Sequence, residues 1–252
     1  MSSSPSWQFT LFGTPTLRRP DGADAPCERK ALALMAFLAV EGATSRARLA
    51  SLLWPDTPSS AARNNLVHHL RRQTRTYGAP LVVGADVLEL AAYVTTDVRR
   101  WTHEDATTSQ ADHADVPDEV FLKDVTFDEM LELDEWALAS RERFHALHVT
   151  HLIRAAQAHE DAGDLLDATR LTERLVTLDN LSEDAWRRLM RLHYLRGDRP
   201  AALRAYHRCK EVLSRELGLE PLPETVRLAH DIDRGERHAP TPGTPARLPL
   251  AV

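Results

Sequence analysis

Apolar positions fall first at every second residue and then at every third or fourth. The stretch "WQFTLFGTPTLR", Trp7 to Arg18, alternates apolar and polar around Gly13 and Pro15, which predicts a short hairpin or two edge strands. In "RKALALMAFLAVEG" a helical stripe of Ala31, Leu34, Met35, Leu38 and Ala39 ends at Gly42 and predicts a first helix. Thr44 or Ser45 can cap a second, "SRARLASLLWP", with Leu49, Leu52 and Leu53 on its buried side and Pro55 as terminator. After the turn "DTPSS", a third helix over 59–77 carries Ala62, Leu66, Leu70 and Tyr77 on one face and closes at Gly78. Two β-branched runs then flank Gly84-Ala85-Asp86 in "PLVVGADVLELAAYVTTD", the pattern of a hairpin. Three helices followed by a hairpin predict a winged helix-turn-helix domain over residues 1–98.

From Asp97 the pattern is helical apart from the acidic, turn-rich "TTSQADHADVPDE". Gly163-Asp164 and Gly197-Asp198 stand 34 residues apart, and Ala168 and Ala202 repeat at the same interval. That is the period of tetratricopeptide helical hairpins. Trp186, Leu189, Tyr194, Ala201 and Tyr206 fall near the packing positions of such a unit. The expected fold class is mainly α with a small β component, a winged helix-turn-helix followed by an α-helical TPR-like repeat domain over 99–236. The Pro-rich "APTPGTPARLPLAV" has no apolar periodicity, so 237–252 is expected to be a linker or disordered tail.

Composition changes this picture mainly through charge. The chain of 252 residues has a formal net charge of −6, which alone argues against a nucleic-acid partner. The distribution reverses that inference. Residues 1–98 hold ten Lys or Arg and eight Asp or Glu, net +2, and the rest is net −8. Between Arg29 and Tyr77 there are eight basic residues against Glu41 and Asp56, net +6. Cys27 and Cys209 match no metal or redox spacing and are expected as reduced thiols without a chemical role. With neither a signal-like start nor an apolar run long enough to span a bilayer, a soluble cytoplasmic protein is expected, with no membrane association.

The third helix concentrates the charge. At about 100 degrees per residue, Asn64, His68, Arg71 and Arg75 lie roughly opposite the face of Ala62, Leu66, Leu70, Gln73 and Tyr77, with Arg72 and Val67 on the flanks. A DNA major groove admits one helix, offers guanine acceptors that suit Arg and an adenine edge that suits Asn. No Asp or Glu occurs from Thr57 to Ala85, whereas an ordinary exposed helix mixes signs to gain pairs one turn apart. The expected DNA-binding residues are Arg46, Arg48, Arg63, Asn64, His68, Arg71, Arg72 and Arg75.

"RKALALMAFLA", "TSRARLASLLWPD" and "SSAARNNLVHHLRR" resemble the OmpR-type winged helix of the Streptomyces antibiotic regulatory protein family. "FLKDV", "DEWALASRERFHAL" and "LMRLHYLRGDRPAALRAYHRCKEVLSRELGLEPLPET" resemble the bacterial transcriptional activator domain that accompanies it. The resemblance covers nearly all of residues 7 to 234. It implies that the third helix is the recognition helix and that Leu81 to Leu90 is the wing. It also implies an activator that binds direct repeats near promoters and engages RNA polymerase. Because a single winged helix makes few base contacts, a homodimer on DNA is a further expected partner. Two features depart from the family pattern: Gln73 stands where an apolar residue is usual, and the wing has Asp86 and Glu89 in place of a cation. Affinity is therefore expected to rest on the third helix and on Arg46 and Arg48.

Other readings are less well supported. Glu142, His145, His148 and His151 lie three apart on one helix, a metal-ligand spacing, but a second carboxylate helix to complete the site is missing. No phosphate-binding loop, serine nucleophile elbow or paired-carboxylate motif points to an enzyme, and no cofactor is expected. A helical adaptor binding only proteins, and the front end of a longer regulator carrying an ATPase domain, remain as alternatives.

Overall fold

In a computed structural model, residues 6–99 and 119–235 are described. Most of the acidic stretch and the Pro-rich tail lie outside those residues. The chain divides into two compact units, Met1–His148 and Val149–Val252.

In the first unit the alternating segment forms β1 (Trp7–Thr10) and β2 (Thr16–Arg18), an antiparallel pair in which Phe9 faces Leu17. Two partners distant in sequence or weak in pattern extend it to a four-stranded sheet of order β3-β2-β1-β7. These are β3 (Asp24–Ala25) and β7 (Val94–Thr96), the latter running parallel to β1. Asp97, just beyond β7, accepts from the backbone N–H groups of Leu11 and Phe12 at 2.9 Å and so locks the end of β1. Burial raises the pKa of its carboxyl even though those donors stabilise the anion.

Against this sheet lie α1 (Arg29–Glu41), α2 (Arg46–Leu53) and α3 (Ser59–Tyr77). α1 buries more than one stripe, because Ala33, Ala36, Phe37 and Val40 join Leu34, Met35 and Leu38 in the core. Ser45 caps α2 through the N–H of Arg48 at 3.3 Å. β4 (Thr44–Ser45), β5 (Val82–Val83) and β6 (Val87–Leu90) form a second sheet of order β4-β6-β5, with the β5–β6 hairpin as the wing. Its turn requires glycine: Gly84 has φ 118°, and a Cβ there would stand 2.0 Å from the Val87 carbonyl oxygen.

The compact unit reaches well past Val98, where the sequence placed the domain boundary. Phe121, Phe127, Met130, Leu133, Ala137 and Phe144 are buried in the same core as Phe9, Leu34 and Leu66. Phe121 forms an isolated antiparallel bridge with Phe12, and their rings meet edge-on at 6.0 Å. Arg141 holds the intervening loop by donating to the carbonyls of Phe121 (3.1 Å), Leu122 (2.9 Å) and Val125 (2.6 Å). Leu122 and Asp124 in that loop take left-handed backbone conformations. Such pairings need a folded core to become visible; periodicity alone does not reveal them.

α4 (Leu131–Asp161) begins in the first unit and ends in the second. The second unit continues with α5 (Leu165–Leu178), α6 (Glu183–Leu195), α7 (Arg199–Leu217) and α8 (Pro223–Arg234). The repeated Gly-Asp pairs do the same local work twice. Gly163 and Gly197 turn out of the preceding helix at φ 79° and 80°. Asp164 and Asp198 then cap the next by accepting from the N–H groups of Asp167 (3.3 Å) and Ala201 (2.9 Å). Ala168 and Ala202, fully buried, let the paired helices approach closely. Burial pushes the Cys209 thiol up to about 12 and the Cys27 thiol to about 11, so both stay protonated.

Candidate nucleic-acid interface

α3 is anchored at its C-terminal end and along one side. Tyr77 donates to the Pro26 carbonyl at 3.1 Å and packs edge-on against Trp7. Ala62, Leu66, His69, Gln73 and Tyr77 are buried. The inward face differs from expectation by one position: His69 is buried and Leu70 only half-buried. The cause is Trp54 at the end of α2, whose indole meets the His69 ring at 6.0 Å. Lys30 in turn donates to the Leu53 carbonyl at 3.1 Å and lies over the Trp54 ring, closing the C-terminus of α2.

Gln73, polar where the family pattern is apolar, is satisfied by His69, their side-chain nitrogens 3.2 Å apart. Gln73 must donate there, so His69 accepts and carries its proton on Nδ1. Burial lowers the His69 pKa, with the Arg72 and Lys30 charges acting in the same sense against Glu28. The neutral ring that this bond requires is thus the favoured form.

The opposite face is open. Asn64, His68, Arg71 and Arg75 are exposed at spacings of four, three and four residues, and make no hydrogen bond or ion pair with the described residues. The start of α3 has Pro58 in the cap position, no side-chain cap and no acid in the first turn, so its N–H groups and positive dipole end are unneutralised. This feature escaped the sequence reading, although Pro58 in place of a capping residue was the available signal.

The other four expected residues are engaged within the protein. Arg46 donates to the wing-turn carbonyls of Ala85 and, at 3.3 Å, Gly84, so its guanidinium supports the hairpin. Arg63 donates to the Ser59 carbonyl at 3.1 Å. Arg72 pairs with Glu28 and Arg48 with Glu132, each pair about half exposed. Exposed pairs of this kind contribute about 0–1 kcal/mol. The acidic partners lie 44 and 84 residues away in sequence, beyond any local signal. The wing projects Asp86 and Glu89, both exposed.

Among the described residues, the metal-type ligands gathered within 4.8 Å of one another are His159, Asp164 and Asp167, not the Glu142–His145–His148–His151 ladder. Asp164 is already the cap of α5 and pairs with His159 at 3.3 Å. No helix among the described residues is long and apolar enough to cross a membrane.

The sequence profile of the bacterial transcriptional activator domain matches residues 94–233. Over 62 residues, a quarter of this chain, the sequence is 44% identical to the transcriptional regulatory protein MoaR1 of Mycobacterium bovis (strain BCG / Pasteur 1173P2) and of Mycobacterium tuberculosis (strain ATCC 25618 / H37Rv). That match spans 20% of the length of those relatives. Among solved structures, Mycobacterium tuberculosis EmbR in complex with a low-affinity phosphopeptide shares the fold with a TM-score of 0.60 at 21% identity. The likeness covers 94% of this chain and 67% of EmbR.

Proposed function

The chain belongs to the bacterial transcriptional activator domain family, a family of transcription regulators, and from that premise we propose that it binds duplex DNA sequence-specifically through α3. The observation that carries this reading is the outer face of α3, where Asn64, His68, Arg71 and Arg75 are exposed and unpaired on a helix whose own sequence contains no acid. Arg71 and Arg75, one turn apart, suit guanine edges, and Asn64 suits adenine. Arg63 and Arg72 on α3, with Arg48 on α2, serve the phosphate backbone. Arg46 serves it through the wing turn.

The remainder of the reading concerns the whole protein. A lone winged helix makes few base contacts, so useful specificity calls for two copies on direct repeats near a promoter. The second unit, within a region of net negative charge, is suited to proteins more than to phosphates, and it supplies the contact with a second protomer or with RNA polymerase. In this reading the protein is a cytoplasmic activator, with residues 1–98 providing the DNA-contacting elements and 99–236 the partner domain.

The test is alanine replacement of Arg71 and Arg75 in the full chain, with binding measured on genomic fragments that the wild type enriches. Each replacement should weaken specific binding by about 1–3 kcal/mol and relax preference at one base position, with helix content unchanged. Unaltered affinity and sequence preference in both variants would overturn the assignment of α3 as the reading helix.

A further inference from the structure

Acid is absent from Thr57 to Ala85, yet arginines of the basic segment are neutralised by carboxylates brought from elsewhere. Arg29 faces Asp128 at 3.5 Å, Arg48 pairs with Glu132, and Arg72 with Glu28. Asp128 lies in the turn before α4 and Glu132 in its first turn, both within the region that matches the family profile. We propose that Glu132 occupies a DNA phosphate position on Arg48 in the free protein, so that the head of α4 competes with the DNA backbone. The inference rests on the DNA-binding reading above.

Three observations carry it. Arg48 stands in the first turn of α2, which contains no acid of its own. The dipole at a helix start favours an anion beside such a cation, and a carboxylate makes with guanidinium the same charge-assisted bonds as a phosphate. Glu132 is well placed to fill that position, because it sits in the first turn of α4, where that helix's own dipole favours negative charge. Finally, the pair is open to solvent, with the Arg48 side chain 48% and Glu132 54% exposed. A phosphate oxygen can therefore displace the carboxylate without any part of the core opening.

The experiment compares the full-length wild type with Glu132→Gln, Glu135→Gln, Arg48→Ala and the Arg48→Ala/Glu132→Gln double variant on a mixed-sequence duplex across a salt series. Glu135 is exposed on the same helix and makes no hydrogen bond or ion pair, so its variant reports the general effect of removing one negative charge. Glu132→Gln should bind up to about five-fold more tightly at low salt than Glu135→Gln. The gain should vanish in the Arg48→Ala background. Equal behaviour of the two Gln variants, or a gain that survives loss of Arg48, overturns the competition while leaving DNA binding intact. Failure of every protein to bind the duplex at low salt overturns the DNA-binding reading and the competition with it.

Discussion

Replacing Phe121 by Ala tests whether the segment after the wing belongs to the core of the first unit. The side chain is 1% exposed and is ringed by Phe144 at 4.9 Å, Phe12 at 6.0 Å and Trp136 at 6.1 Å. Truncating a buried Phe costs about 3–5 kcal/mol, depending on how far the site collapses. Collapse is hindered here, since Phe12 follows β1, locked by Asp97, while Phe144 and Trp136 belong to α4, whose Arg141 clamps the 121–125 loop. A loss of about 4 kcal/mol is therefore expected, from a total stability on the order of 5–15 kcal/mol. With a urea dependence of about 1–3 kcal/mol per molar, the unfolding midpoint should fall by about 2 M. Tryptophan fluorescence is a suitable probe because Trp136 touches the altered site. For the same reason a fragment ending at Val98 should be far less stable than one ending at His148, as it lacks Phe121, Phe127, Met130, Leu133 and Phe144. A loss below about 1 kcal/mol for Phe121→Ala would mean that the segment only rests on a core complete without it.

Two further outcomes follow from the geometry. Gly84→Ala should break the wing turn, since a left-handed conformation costs a non-glycine residue about 1–3 kcal/mol and the added Cβ meets the Val87 carbonyl oxygen at 2.0 Å; hydrogen exchange at Ala91, whose N–H donates to the Leu81 carbonyl across the hairpin at 2.9 Å, should accelerate, and unchanged protection there would refute it. His69, its pKa lowered by burial, stays neutral when folded but takes up a proton when unfolded as pH falls through the usual value of 6.5, so its contribution is complete above that pH and declines below it. The decline, at most about 1.4 kcal/mol per pH unit for one group, should be smaller in His69→Leu, and denaturation midpoints across that window decide it, parallel pH profiles counting against the assignment.

The sequence alone was sufficient wherever the controlling interaction spans one or two turns. The Ser45 cap, the glycine-closed ends of α1 and α3, the Gly84 turn and the 34-residue Gly-Asp repeat are all set by backbone conformation and nearest donors. The outward face of Asn64, His68, Arg71 and Arg75 was likewise legible, because helical periodicity determines which residues can share a side. Tertiary structure decided what depends on long loop closure. The parallel pairing of β1 with β7, the entry of Phe121 and Phe144 into the first core, and the seating of His69 against Trp54 required distant segments to meet. It also divided the arginines. Arg46 turned to the wing, while Arg48 and Arg72 met carboxylates from 84 and 44 residues away, leaving Arg71 and Arg75 free. A charge pattern records that cations are present, but which of them remain unpaired depends on where the folded chain carries its acids.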